Sequence, residues 1–499
     1  MFRIADDEEL TIDELSKFIN KHRSFSRKKL EPLLNAYETK YKIFDEDPKP
    51  EWKPDNRIAV NFAKYIVDTF NGFFIGNPIK VTSKNKVVDD YINMLDKYND
   101  QDDNNAELSK MCDIFGFAYE MYFVDENGEI GITYVSPMES FIIYDDSVLE
   151  RPRYFVRMYI DSDKVMHGSV SDDTYVRYFA DDGGLHFLDD DNKPHGFSGV
   201  PATEYRENEE RIGLFSPVMT MIDAYNKAIS EKANDVDYFA DAYLKILGAA
   251  LNDDEIKKLR ENRIINFDGD DSDRLVVEFL QKPNGDTTQE NLINRLEKLI
   301  FQISMVANIS DEDFGTSSGI SLKYKLQAMS NLAKTKERKF TSGMNRRYML
   351  IFSNPVNKMK KDDWLDIEYK FTFNYPANLL EESQIAAQLS GIVSKETQLK
   401  IISAVEDVQE ELNKIEKETD PLEYSTDYPT NRIADDETSG GGVTEVQGKA
   451  LNGAQTQSLI AIMSQYSANE LSEGQAINLI HTAIGISKEE AKSILNGEL

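Results

Sequence analysis

The chain has 499 residues and a formal net charge of −32, from 89 acidic against 57 basic residues, with an ordinary 40% of hydrophobic residues. Such a charge argues against indiscriminate binding to nucleic acid or anionic membranes, and it opposes self-association unless interfaces set the few bases against the many acids. The single Cys112 excludes an internal disulfide, and His22, His167, His186, His195 and His481 are too scattered for a metal site. The N-terminus lacks a signal-like apolar core, and no apolar run of about 18 residues could span a bilayer.

In chain order, residues 11–44 read as helix, capped by Thr11 or Asp13, with Ile12, Leu15, Phe18 and Ile19 on one face. Residues 56–76 read as a mostly apolar core helix opened by Asn56 and closed by Gly76 and Pro78. Residues 87–118 are helical again. From Ala118 to Tyr205 the period shifts to two. Segments 120–124 and 130–135 form a hairpin turned at Asp125-Glu126-Asn127-Gly128, and 175–179 with 185–188 form a second. Residues 50–210 are therefore expected to make one α+β domain.

The longest helix is predicted over 216–251, where Val218, Ile222, Tyr225, Ile229, Ala233, Val236, Phe239, Tyr243 and Leu247 hold a 3.6 period. At 1.5 Å per residue it would run roughly 50 Å. Residues 252–284 are short and mixed, with a strand at 275–280. A second long helix at 285–307 carries Leu292, Leu296, Leu299, Ile300 and Ile303. The loop that follows holds Asp311-Glu312-Asp313-Phe314-Gly315-Thr316-Ser317-Ser318-Gly319, too polar and too rich in glycine to pack, and so exposed. The next helix, 321–352, carries Lys323, Lys325, Lys334, Lys336, Arg338, Lys339, Arg346 and Arg347. A strand at 365–373 and helices to about 419 complete this part. A polar, glycine-bearing linker spans 420–450, and a small helical module spans 451–499.

Three stretches carry a resemblance. Ser318-Gly319-Ile320-Ser321-Leu322-Lys323-Tyr324-Lys325-Leu326, the Asn56-led helix ending in Gly76-Asn77-Pro78, and Asn374-Tyr375-Pro376 followed by Gly391-Ile392-Val393-Ser394-Lys395-Glu396-Thr397 stand in one order around helix, insert, helix. Together they resemble the portal proteins of long-tailed bacteriophages of Gram-positive hosts, over about residues 11–415. The resemblance implies an α+β portal fold: N-terminal helices and α/β wing at 1–215, stem helix 216–251, clip 252–284 and second stem helix 285–307. It further implies a tunnel loop at 308–320, a long basic helix with a returning wing strand at 321–376, and a helical crown at 377–419.

It also implies a non-enzymatic homododecameric ring at one capsid vertex, through which double-stranded DNA passes during packaging and ejection without sequence specificity. The implied partners are the terminase large subunit, the major capsid and scaffolding proteins, and a head-completion adaptor at the clip. No cofactor, no metal and no membrane is implied. The protein would reside in the virion, and in the host cytoplasm during assembly. Asp311, Glu312, Asp313, Phe314, Gly315, Ser317, Ser318 and Gly319 would line the channel. Lys323, Lys325, Lys334, Lys336, Arg338, Arg346 and Arg347 would face the channel or, as the composition favours, acids of a neighbouring subunit.

Other chemistry weighs less. Gly315-Thr316-Ser317-Ser318-Gly319 fits the nucleophile elbow of a serine hydrolase, but that elbow needs a buried strand before it, where Asp311-Glu312-Asp313 stands. The only histidine downstream is His481. Asp268-Gly269-Asp270-Asp271-Ser272-Asp273 lacks the glycine position and closing glutamate of a calcium loop. No phosphate-binding loop of the ATPase type occurs, so the chain is not the packaging motor. A scaffolding or adaptor protein is a further alternative, although it would not need paired long helices around an insert.

Overall fold

The structure, a computed structural model, describes the chain apart from residues 6, 52, 189–191, 241–243, 248–275, 280–285, 311–318, 376–378, 403, 406–407, 420–458, 460–461, 464–465, 467–470, 485 and 497–499. It divides into a large unit, Met1–Ile415, and a small one, Glu416–Leu499.

The large unit is α+β. Strand β1 (Phe2–Ile4) leads to α1 (Ile12–Lys21), where Thr11 and Glu14 form a reciprocal capping box. The helix does not run on unbroken to residue 44. A π-turn at His22–Ser26 separates α1 from α2 (Arg27–Tyr37), and inside it His22 Nε2 donates to the Pro137 carbonyl at 2.9 Å while its ring stacks on Phe141.

Helix α3 (Phe62–Ile75) starts six residues later than the sequence pattern suggests. Asn61, not Asn56, is its cap and accepts from the Lys64 amide at 2.8 Å. Residues 56–60 are instead extended. Ile66, Val67, Phe70 and Phe74 of α3 lie at the centre of the main core, each worth about 1.5–3 kcal/mol of burial. Next come β2 (Lys80–Ser83), α4 (Lys86–Tyr98) and α5 (Gln101–Phe115). Helix α5 stops at Gly116, whose φ of +88° suits glycine; a Cβ there would lie 2.3 Å from the Arg211 backbone.

Strands β3 (Phe117–Val124) and β4 (Ile130–Val135) make the expected hairpin, with Tyr119 opposite Val135 and Val124 opposite Ile130. Its turn is held by Asp125, whose carboxylate accepts from the Asn127 and Glu129 amides at 2.9 Å each. Then follow β5 (Ser140–Asp145), β6 (Pro152–Ile160), β7 (Met166–Ser171), β8 (Tyr175–Asp181), β9 (Leu185–Phe187), β10 (Lys193–Pro194) and β11 (Ala202–Arg206). They form two sheets, one ordered β1-β5-β6-β7-β8-β10 with β9 on β8, the other β11-β3-β4. Only β1 is parallel to its neighbour, β5; the remaining pairs are antiparallel. One face of the larger sheet packs under Leu15 and Ile19 of α1; the other meets Tyr119, Val135 and Ala202 of the second sheet.

Helix α6 (Met219–Ala240) realises the first half of the predicted long helix, with Ile222 and Tyr225 buried and Val236 exposed; Val218, in the 3-10 turn just before it, is buried too. The predicted continuation to residue 251 does not hold: Leu244–Leu247 is a strand, β12, antiparallel to β13 (Val276–Phe279). Val276-Val277-Glu278-Phe279 is rich in β-formers, and the backbones of the two segments satisfy each other there, which outweighs the local helical pattern. The remainder of the 252–284 insert, with the calcium-like stretch at 268–273, lies outside the described residues. Helix α7 (Asp286–Ser304) packs back along α6, where Lys232 pairs with Glu290.

Helix α8 (Gly319–Lys325) and the long α9 (Gln327–Ser353) follow, and then β14 (Ile367–Lys370), which pairs with β2. Helices α10 (Leu379–Gln388), α11 (Lys395–Leu399) and α12 (Val408–Thr419) close the series. The small unit contains α13 (Glu473–Ile484) and α14 (Lys488–Asn496) around Ile462, Ala476, Ile480 and Ala491.

Candidate functional site

Helix α7 and helices α8–α9 flank the acidic loop, as their periodicities require. At the near end of the loop Met305 turns with φ of +61°, the Asn308 side chain donates to Glu297 at 3.2 Å, and the Ile309 amide donates to the Tyr65 hydroxyl at 2.9 Å. Asp311, Glu312, Asp313, Phe314, Gly315, Ser317 and Ser318 lie outside the described residues, and so does the elbow geometry around Ser317. Gly319 is the first residue of α8. Helices α8 and α9 meet at Leu326, which is buried.

The bases of this segment do not share one environment. Lys323, Lys325, Lys334 and Arg338 are exposed. Lys339 pairs with Glu209 of its own chain. Lys336 and Arg347, expected at a channel or subunit surface, are instead fully buried within the subunit, and that expectation is corrected. Lys336 Nζ donates to the Ser109 carbonyl at 3.1 Å, pairs with Asp113, lies 3.1 Å from Glu207 Oε2 and sits 4.9 Å above the Phe74 ring. Arg347 grips Glu120 in a two-point bridge, with Nε and Nη2 at 2.8 and 2.7 Å, and donates to Asn105 at 2.7 Å. Arg346 is half-buried against the Val200 and Ala202 carbonyls, at 3.3 and 3.4 Å.

These are ion pairs of the interior. Burial pushes the Asp113 carboxyl up, against the pull of Lys336, because one ammonium faces both Asp113 and Glu207. Burial likewise pushes the Cys112 thiol up, so it is not a reactive cysteine. Glu204 is the opposite case: although buried, its carboxyl is held down by Arg211 and Arg206, each bonded to it at 2.7 Å. The sequence carried a signal for the buried pair. Lys336, Phe340, Met344, Arg347 and Ile351 follow one helical stripe, and that stripe is the apolar one. Among the described residues, no group of His, Cys, Asp and Glu could hold a metal ion, and no helix is long and apolar enough to cross a membrane.

The sequence profile of the family described as phage portal protein, SPP1 Gp6-like, matches residues 16–421, more than three quarters of the chain. The chain belongs to this portal protein family. It is 27% identical over 396 residues to the portal protein of Bacillus phage SPP1, covering 73% of this chain and 76% of that one. It is 24% identical over 420 residues to the portal protein of Clostridium phage phiCD119, covering 77% and 90%. Solved structures of the neck of an empty gene transfer agent particle and of the virion of the native particle align at TM-score 0.40, with 11% and 13% identity. They cover 68% and 74% of this chain, and 89% and 98% of theirs. The family match extends from within α1 to the end of α12, over the sheets, the α6–α7 pair and the acidic loop, so one family accounts for the large unit from residue 16 onward, with β1 outside the match.

Proposed function

We propose that this protein is the portal of a phage capsid, a ring-forming conduit at one vertex through which DNA enters during packaging and leaves during ejection, and that it acts as a structural protein rather than an enzyme. The family match over residues 16–421 carries this reading. On it, the two sheets belong to the wing, α6 and α7 are the stem helices about a clip that contains the β12–β13 ladder, and 377–419 contributes the crown. The clip offers the docking site for a terminase and, later, for a head-completion adaptor, while the wing meets the shell.

The loop at 308–320 is the part that faces DNA. Three adjacent carboxylates per copy, Asp311, Glu312 and Asp313, repeated round a ring, would repel phosphate and so hold the duplex without gripping it; their reach is limited to a Debye length of about 8 Å at physiological salt. A lysine lining would instead bind phosphates by releasing counterions. Negative-stain images and native mass of the purified protein should show closed rings; a chain that stays monomeric across protein and salt concentrations would overturn the reading. Changing Asp311, Glu312 and Asp313 together to Lys should leave rings intact and shorten the DNA packaged per particle, more so at low salt. Full-length packaging at the normal rate would show that the loop does not face DNA.

A further inference from the structure

Residues 17–29 are the densest basic run on the chain. Six of thirteen positions, Lys17, Lys21, Arg23, Arg27, Lys28 and Lys29, are bases and none is an acid, in a protein of net charge −32. All six side chains are exposed, and none of them forms an ion pair among the described residues. The run covers the end of α1, the π-turn and the start of α2, and it is not purely polar. Phe25 is 57% exposed beneath the Lys29 ammonium, which sits 4.2 Å from its ring centre. Beside it opens a groove of about 480 Å³ lined by Phe25, Lys29, Leu33, Phe115, Phe117 and Ile212.

A surface of the opposite character lies at the other end of α5. Phe115, the last residue of α5, lines the basic groove; the first turn of α5 follows directly on α4. Over 86–107 seven acids stand against two bases. Asp90, Asp100, Asp102 and Asp103 are exposed, together with the apolar Val87, Met94 and Tyr98. Helix α5 has 15 residues, so the two patches are separated by roughly 22 Å along one rigid element.

We propose that the basic, apolar patch at 17–29 docks on the acidic, apolar patch of α4 and the first turn of α5 in a second copy of this chain. Three physical points select that occupant. The basic patch repels its own image, so a two-fold contact through it is unfavourable, and the contact must be head-to-tail, the kind that propagates into rings. Duplex DNA presents phosphate but no apolar surface to cover Phe25 and the groove, whereas α4 presents both charge and apolar side chains. Copies that each carry −32 approach most readily where bases meet acids, and this run gathers six exposed bases with no acid among them. The inference rests on the ring reading above and names the patches that close the ring.

The test is a charge swap read by native mass. Changing Lys21, Arg27 and Lys28 to Glu should lose rings to monomers at a protein concentration where the wild type is fully assembled. Changing Asp90, Asp102 and Asp103 to Lys should do the same, and combining the two sets should restore assembly. As a second measurement, Phe25→Cys carries a photo-crosslinker, Cys112 being buried; in a mixture of heavy- and light-isotope copies it should join heavy to light within 86–107. Rings that survive the first triple at wild-type salt sensitivity, a swap that restores nothing, or crosslinks confined to one copy would overturn the proposal. So would a first triple that keeps its rings but loses duplex DNA binding. If the wild type forms no rings at all, it is the ring reading that fails.

Discussion

Lys336 and Arg347 set the residue scale. An ammonium buried among aromatic rings is tolerated only because carboxylates from α5 and from the segment after β11 reach it. Removing the base while leaving both acids strands a buried charge, so Lys336→Met should lower stability by about 3–5 kcal/mol at pH 7, read from the urea midpoint. The pH dependence has a definite sign. The folded-state carboxyl of Asp113 lies above its unfolded value, so the fold favours its protonated form, and its charged form weighs against the fold increasingly as pH rises from the unfolded toward the folded value. The loss in Lys336→Met should therefore narrow as pH falls from 7 toward 5. A midpoint equal to wild type at pH 7 would show that the ion pair contributes nothing.

At the scale of elements, α6 is held by a polar ladder that the apolar stripe does not reveal. Asn226, Ser230 and Asn234, four residues apart and all buried, accept from the Val60, Ile58 and Asn56 amides at 2.8, 2.9 and 2.6 Å. Four helical residues rise about 6.0 Å, and two extended residues advance about 6.6–6.8 Å. A helix and an antiparallel extended segment can thus exchange bonds in step. This explains why 56–60 is extended although its composition suits the helix that follows: its alternate amides, at Asn56, Ile58 and Val60, already have partners on α6. Asn226→Leu should cost about 1–3 kcal/mol in denaturant unfolding, the penalty for an unpaired polar group, and should speed amide exchange at Val60. Asn226→Asp, which keeps the acceptor, should cost less. Unchanged exchange at Val60 in the leucine variant would remove the ladder from the account.

For the whole molecule, the division at about residue 415 bears on assembly. The small unit has a core of its own around Ala476, Ile480 and Ala491, and the family match ends at residue 421. A chain stopped after Gly442 should keep the wild-type unfolding midpoint of the large unit and, on the ring reading, should still form rings by native mass. Insoluble or monomeric truncated protein would place residues 443–499 in the assembly core.

What the sequence determined by itself is what depends on near neighbours along the chain. The 3.6-residue stripes gave α6 as far as residue 240 and α7; the alternation about Asp125–Gly128 gave the β3–β4 hairpin, whose turn chemistry is local; and three short signatures in one order gave the family. What the tertiary structure decided is each matter settled by a distant partner. Strand β1 exists because residues 2–4 find β5 some 140 residues on, and β12 because residues 244–247 find 276–279. Lys336 and Arg347 look like surface bases until Asp113, Glu120 and Glu207, each more than 120 residues away in sequence, are brought against them. Helical period shows which face a base occupies. Whether that face can hold a charge depends on carboxylates that only the folded chain supplies.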